Sequence, residues 1–159
     1  MKCRSRRKNN ATETMERADM IKAVIFDIDN TLVPHGAPAD GRSREFFSRL
    51  KELGYGCMLL SNNKEPRVKS FGEAVGAEYI FKAGKPAVKN YRRAMERLGT
   101  QEKNTLFVGD QLFTDVWGAK KAGIRTFLVK PIHPKEEIQI VLKRVLEKIV
   151  LFFYMRRRK

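Results

Sequence analysis

Short apolar runs rich in β-branched residues alternate along this chain with segments of helical period. Residues 23–26 (Ala-Val-Ile-Phe), 55–60, 78–81, 105–108 and 125–129 are too short for helices, and residues 23–26 read as a buried strand of a parallel sheet. Between them, residues 42–53 place Phe46, Phe47, Leu50 and Leu53 on one helical face, and Gly54 ends that pattern. Residues 65–75 turn Val68, Phe71, Ala74 and Val75 inward. A third helix opens with Pro86 in its first turn, carries Val88, Tyr91, Met95 and Leu98, and stops at Gly99. A fourth, over 114–122, carries Trp117 as a core residue and stops at Gly123. Regular alternation of strand and helix predicts a parallel sheet with helices on both faces.

After the Pro-containing break at 131–134, apolar residues return as one stripe: Ile138, Val141, Leu142, Val145, Leu146 and Ile149. Residues 149–155 are apolar on every face and run into Arg156, Arg157, Arg158 and Lys159. The pattern divides the chain into three regions: a disordered basic leader at 1–19, a core at 20–134, and an amphipathic basic helix at 135–159 packed on the core or appended to it. No apolar stretch reaches the ~20 residues that span a bilayer. The expected location is the cytoplasm, with peripheral membrane contact through 149–159 as the open alternative.

Composition changes this picture little. With 159 residues and 42% hydrophobic content, the chain can build one sizeable core. Cys3 and Cys57 form no disulfide framework and suit a reducing compartment. The net charge of +15 is concentrated: nine cations lie in the first eight and last four residues, leaving about +6 on the body. Such ends favour anionic partners, whether nucleic acid, acidic lipid or phosphorylated substrate.

The strand ends carry the chemistry. The first strand runs into Asp27 and Asp29, the second into Ser61 and Asn62, the third toward Lys85, and the fourth into Asp110 with Asp115 five residues on. In open α/β sheets, ligands gather at the carboxyl ends of the strands. If the first strand stays extended, its spacing of two sends Asp27 and Asp29 to the same side, where a cation is their natural partner. Phosphoryl transfer to a carboxylate needs these residue types together. Asp27 is placed as nucleophile, and Asp29 as the acid that protonates the leaving alcohol and the base that activates water. Ser61 offers a hydroxyl and a backbone N–H to phosphoryl oxygens, and Lys85 a compact positive charge. Asp110, Asp27 and the backbone carbonyl of Asp29 make an oxygen-only shell suited to Mg²⁺, with Asp115 behind a bound water. Plainer readings stand beside these: an Asp-rich turn, a helix-capping Ser61, a solvated Lys85, and turn-forming Asn62 and Asn63. Lys82 and Lys89 belong to a solvated basic face, and His35 and His133 to loops.

Asp-Ile-Asp-Asn-Thr-Leu at 27–32, Leu-Leu-Ser-Asn-Asn at 59–63, Gly-Lys-Pro at 84–86 and Gly-Asp-Gln-Leu-Phe-Thr-Asp-Val at 109–116 resemble, in order, the four motifs of the haloacid dehalogenase-like superfamily. The doubled Asn, the Arg67-Val68 beyond it and the fourth motif resemble the type IIIA phosphatases of the YqeG kind, a branch related to phosphatidylglycerophosphatases. The resemblance implies a three-layer α/β/α Rossmann-like fold, its five-stranded parallel sheet centred on the first strand. It also implies a Mg²⁺-dependent phosphomonoesterase working through an aspartyl-phosphate. Carried over, Asp27 is nucleophile, Asp29 acid/base, Ser61 and Lys85 phosphate binders with Asn62 beside them, Asp110 a metal ligand and Asp115 an outer acidic member. Dehalogenases do without the second carboxylate, so Asp29 favours ester chemistry. The short connections after the first motif and between Ser61 and Lys85 leave no room for the cap domains of other members, so the site is expected to be open. Phosphatidylglycerophosphate is the implied substrate. A basic nucleic-acid-associated protein, or a polynucleotide phosphatase on the same fold, is the alternative.

Overall fold

In a computed structural model of the chain, residues 20–133 and Lys148 are described. The leader at 1–19, the helix expected over 135–159 and the apolar segment at 149–155 lie outside the described residues, Lys148 apart.

Strand β1 (Ala23–Phe26) is buried along its whole length and pairs in parallel with two neighbours, β2 (Gly56–Leu60) and β4 (Thr105–Gly109). Outside these lie β3 (Glu78–Ile80) beside β2 and β5 (Arg125–Leu128) beside β4, so the order across the sheet is β3-β2-β1-β4-β5. Ile25 therefore stands level with Met58 on one side and Phe107 on the other. The chain first builds outward through β2 and β3, then crosses back to build β4 and β5. That reversal opens a crevice at the carboxyl end of β1.

The two-residue period of the strands sorts their side chains into two cores. Ile25, Met58, Leu60 and Phe107 face α3 (Lys89–Leu98) and α4 (Trp117–Lys121), packing with Tyr91, Ala94, Met95 and Ala119. Val24, Phe26, Cys57 and Leu59 face α1 (Gly41–Glu52) and α2 (Glu65–Val75), packing with Phe47, Val68, Phe71 and Val75. The result is the three-layer fold with five parallel strands that the resemblance implied. Only a loop lies between β1 and α1, and only α2 and β3 between Ser61 and Lys85, so no cap interrupts the described residues. Asp40 caps α1 by accepting from the Ser43 N–H at 2.7 Å, and Gly76 and Gly99 end α2 and α3 in left-handed backbone. Cys57 is a packing residue, its thiol pushed up by burial to about 11.

The structure corrects several expectations. Leu53 is 60% exposed because it caps the end of α1, beyond the last turn that faces the sheet. Phe46 is 44% exposed, standing edge-on to Phe26 and Phe47 at the rim. Trp117 is not a core residue but 51% exposed. A π-helical turn (Leu112–Val116) precedes it, and one extra residue in a turn rotates the succeeding side chains by about 100°. Pro86 lies ahead of α3, after a cis Lys85–Pro86 bond, in a turn closed by the Ala87 N–H to the Gly84 carbonyl.

The core partition predicts unequal costs on one helix. Phe47→Ala, at a wholly buried site 5.3 Å from the Phe26 ring, should lose about 3–5 kcal/mol in urea unfolding. Phe46→Ala should lose less than half as much.

Candidate active site

β1 ends at Phe26, and the backbone beyond it does not stay extended. The Asp27 N–H still reaches across to the Val108 carbonyl at 3.0 Å, holding the first carboxylate against β4. Ile28 is fully buried, and its carbonyl accepts from the Leu32 N–H at 2.9 Å and the Thr31 N–H at 3.3 Å. Asn30 takes a left-handed conformation, φ 60°, which an Asn adopts at low cost. Asp29 is thus carried round a tight turn, bridged to Val33. The expectation that both carboxylates share one side through strand periodicity is corrected: the strand is over before Asp29 is reached.

Asp27 meets Lys85. The ammonium lies 2.8 Å from Asp27 Oδ1 and 2.6 Å from Asp115 Oδ1, with all three side chains at least nine-tenths buried. Lys85 is put there by Asn62, whose amide accepts from the Lys85 N–H at 2.8 Å and donates to the Lys85 carbonyl at 3.3 Å. Asn62 was expected beside the phosphate; its side chain is instead spent on Lys85's backbone. Asp115 comes from the π-helical turn and accepts from the Gln111 N–H at 3.0 Å. It lies so close over Gly109 that a Cβ there would stand 2.5 Å from its carboxylate, which is why the motif needs glycine. The Tyr91 hydroxyl steadies this turn from α3, donating to the Thr114 carbonyl at 2.7 Å, and burial pushes its pKa above the ordinary range, so it remains a donor.

Asp110, almost wholly buried, accepts from the Thr31 hydroxyl at 3.2 Å. Oxygens of Asp27, Asp110 and Asp115 all lie within 4.8 Å of one another. Asp115, expected behind a bound water, is therefore a full member of this cluster, and the Asp29 carboxylate is not. Burial pushes Asp27 up to about 7; Lys85 opposes this, and Asp115 and Asp110 reinforce it. Burial works against the charge on Lys85, but Asp115 and Asp27 outweigh it and hold its pKa above the ordinary lysine range. Three carboxylates thus meet in one buried pocket, with the Lys85 ammonium against two of them. Hard, oxygen-only donors at this spacing fit a small divalent cation such as Mg²⁺. Asp27 and Asp110 would hold it, within reach of Asp115.

Ser61, just past β2, is buried beside Asn63. Its N–H is spent on the Ile80 carbonyl at 3.1 Å, so the hydroxyl, not the backbone donor expected with it, is what Ser61 offers. That oxygen accepts from the Asn63 N–H at 3.3 Å. Asp29 has a separate set of partners: the Gly36 N–H at 2.8 Å and Arg67 Nη2 at 3.0 Å on Oδ1, and the Asn63 amide on Oδ2. Sequence reasoning missed Arg67 and Asn63 as site residues, and also Thr31 and Tyr91. Arg67 carried one signal, its place in the resemblance; Tyr91 is indistinguishable by pattern from any core aromatic.

Residues 37–123 match the haloacid dehalogenase-like hydrolase family. The chain is 38% identical over 132 residues to the probable phosphatase YqeG of Bacillus subtilis, covering 82% of this chain and 77% of that protein. This chain belongs to the haloacid dehalogenase-like hydrolases. It is an enzyme of the phosphatase class. It is also 27% identical to the glyceraldehyde 3-phosphate phosphatase of Pyrococcus abyssi, over 69% of this chain and half of that protein's length. Among solved structures, the 3-deoxy-D-manno-octulosonate 8-phosphate phosphatase of Yersinia pestis shares the fold, with a TM-score of 0.59 at 15% identity, over 76% of this chain and 69% of that one. The cobalt-bound deoxy-D-mannose-octulosonate 8-phosphate phosphatase of Haemophilus influenzae gives 0.51 at 18% identity, over 60% and 61%.

The cluster has two measurable consequences. Asp27 binds its proton more tightly folded than unfolded, so its contribution to stability is full below the ordinary value of 3.8 and is lost as pH rises through about 7. Without divalent ions, the melting temperature should therefore fall relative to that of Asp27→Asn between about pH 5 and pH 8. Mg²⁺ should recover the difference at the higher pH and not at the lower; a gap flat with pH would contradict the electrostatics described. Gly109→Ala should displace Asp115 and weaken Mg²⁺ binding by about tenfold or more in calorimetry, in line with loss of an ordered ligand environment.

Proposed function

We propose that this phosphatase is a Mg²⁺-dependent phosphomonoesterase that works through an aspartyl-phosphate on Asp27. The observation that carries this reading is the placement of the Asp27 carboxylate at the end of the central strand, held by Lys85 and flanked by two further buried carboxylates. An Asp27 oxygen attacks phosphorus, and the bond from phosphorus to the ester oxygen breaks. The leaving oxygen takes a proton from Asp29. Water then attacks the phosphorus, giving up a proton to Asp29, and the bond to Asp27 breaks, releasing phosphate. Lys85 and the Ser61 hydroxyl bind phosphoryl oxygens; Asp110 and Asp115 hold the charge balance around Asp27. A bound divalent cation supplies offset for the negative charge on nucleophile and phosphoryl group.

For substrate, we propose a phosphate on an anionic lipid headgroup, phosphatidylglycerophosphate. Support comes from the resemblance to phosphatidylglycerophosphatase relatives, the uncapped strand ends and the basic body. No helix among the described residues is long and apolar enough to cross a membrane. Residues 149–159 are the proposed surface contact.

The test is a panel of that lipid in vesicles, sugar and nucleoside monophosphates, simple alkyl phosphates and a phosphate-terminated oligonucleotide, each with Mg²⁺ and with chelator. The lipid should be hydrolysed fastest, and chelation should stop turnover. Preference for the oligonucleotide would favour the nucleic-acid reading, and preference for a soluble monophosphate would remove the lipid. Asp27→Asn should lose about 10³-fold or more in kcat, and residual turnover near that of the unaltered chain would end the covalent mechanism.

A further inference from the structure

Asp27 and Asp29 are two residues apart, yet each has its own cation from a different part of the chain. Lys85 from the loop after β3 holds Asp27, and Arg67 from the first turn of α2 holds Asp29 at 3.0 Å. Arg67 is itself braced. Its guanidinium carbon stands 5.5 Å from the centre of the Phe71 ring, one helical turn on and fully packed in the core. The Arg67 side chain is 22% exposed and that of Asp29 11%, so their ion pair is shielded far better than a surface bridge.

The contacts on the two oxygens of Asp29 differ. Oδ1 takes two donors whose protons cannot be given up at neutral pH, the Gly36 N–H and the Arg67 guanidinium. Among the described residues, Oδ2 hydrogen-bonds only to the side-chain amide of Asn63. An amide can present either its N–H₂ or its carbonyl, so it can accompany a carboxylate oxygen with or without a proton. Oδ1 is thus held by two fixed donors and Oδ2 by one side-chain amide.

From this geometry we infer that Arg67 is a positioning residue for proton transfer: with Gly36 it fixes Oδ1, so that Asp29 carries and delivers its proton through Oδ2, on the edge shared with Asn63 and Ser61. The inference rests on Asp29 being the acid and base of the proposed function. Arg67 also offsets the charge that forms on Asp29 as the proton leaves for the ester oxygen. No proton passes through Arg67 itself.

Leaving-group chemistry separates this role from a structural one. An alkoxide needs its proton as the ester bond breaks, whereas p-nitrophenolate leaves without one. In first-turnover measurements on the full chain with Mg²⁺, Arg67→Met should slow the alkyl phosphate hydrolysed fastest in the panel by roughly 10–100-fold, part of the range general acids supply. Release of p-nitrophenolate from p-nitrophenyl phosphate should stay within about 3-fold, and so should KM for both esters. Asp29→Asn should show the same selectivity, and the double variant should be little worse than either single one. Arg67→Lys, which keeps the charge and the stem over Phe71, should recover part of the alkyl rate. Equal losses on both esters, or a rise in KM alone, would overturn the inference and make Arg67 a substrate-binding or structural residue. If Arg67→Met melts markedly lower, the same ester comparison on Arg67→Lys decides: a loss confined to the alkyl ester supports the inference, and no loss or an equal loss on both esters overturns it. Failure of the proposed function is separable, because it shows as turnover by Asp27→Asn or as loss of ester selectivity in Asp29→Asn itself.

Discussion

One buried ammonium holds this site together. Lys85 lies between Asp27 and Asp115, and none of the three is stable where it sits without the others. A lone carboxylate or ammonium in that setting would lose its hydration with nothing in exchange. The chain therefore has to deliver three distant segments to one point: the end of β1, the turn after β3 and the π-helical turn after β4. Parallel topology does this at no special cost, because every strand in such a sheet ends on the same edge. The site is a consequence of the winding order, with β1 central and its two neighbours supplied from opposite directions.

That cluster gathers three carboxylates in a buried place. Burial, reinforced by Asp115 and Asp110 and opposed by Lys85, raises Asp27 to about 7. A pocket in this condition is poised for cationic charge, and phosphoryl chemistry is where such a pocket has use. The same packing that creates this cluster keeps it from relaxing. Asp115 is pressed against Gly109, Tyr91 holds the turn behind it, and a side chain at Gly118 would strike the Tyr91 ring. Removing the glycine or the tyrosine would let the carboxylates spread apart.

Much of this was legible in the residues alone. Periodicity located all five strands and the helices between them, because burial on a sheet or one helix face leaves a regular trace in sequence. The convergence of Asp27, Lys85, Asp110 and Asp115 came from their common position just past strand ends. What pattern could not show was any contact that breaks periodicity. The π-helical turn puts Trp117 outward and Asp115 inward, and nothing in Leu-Phe-Thr-Asp-Val marks the extra residue. Asn62 read as a turn-former or a phosphate contact, yet its amide serves Lys85 across 23 residues of chain. Side-chain pairing over such separations leaves no local signature. Arg67 sits on a helix like any solvated arginine, and only the fold brings it against Asp29.

The turn after β1 explains why two carboxylates so close in sequence can behave differently. Ile28 between them is fully buried, and its carbonyl gathers the N–H groups of the adjoining turn. It acts as a wedge: Asp27 stays on the sheet edge with β4, while Asp29 is turned toward the β2–α2 side, where Asn63 and Arg67 wait. Had the strand continued, both carboxylates would lie on one side of the sheet edge. Separation gives each its own partner, Lys85 for one and Arg67 for the other. On the proposed mechanism, one carboxylate then faces phosphorus while the other exchanges a proton two residues away. An apolar residue between two acids is what allows the division of roles.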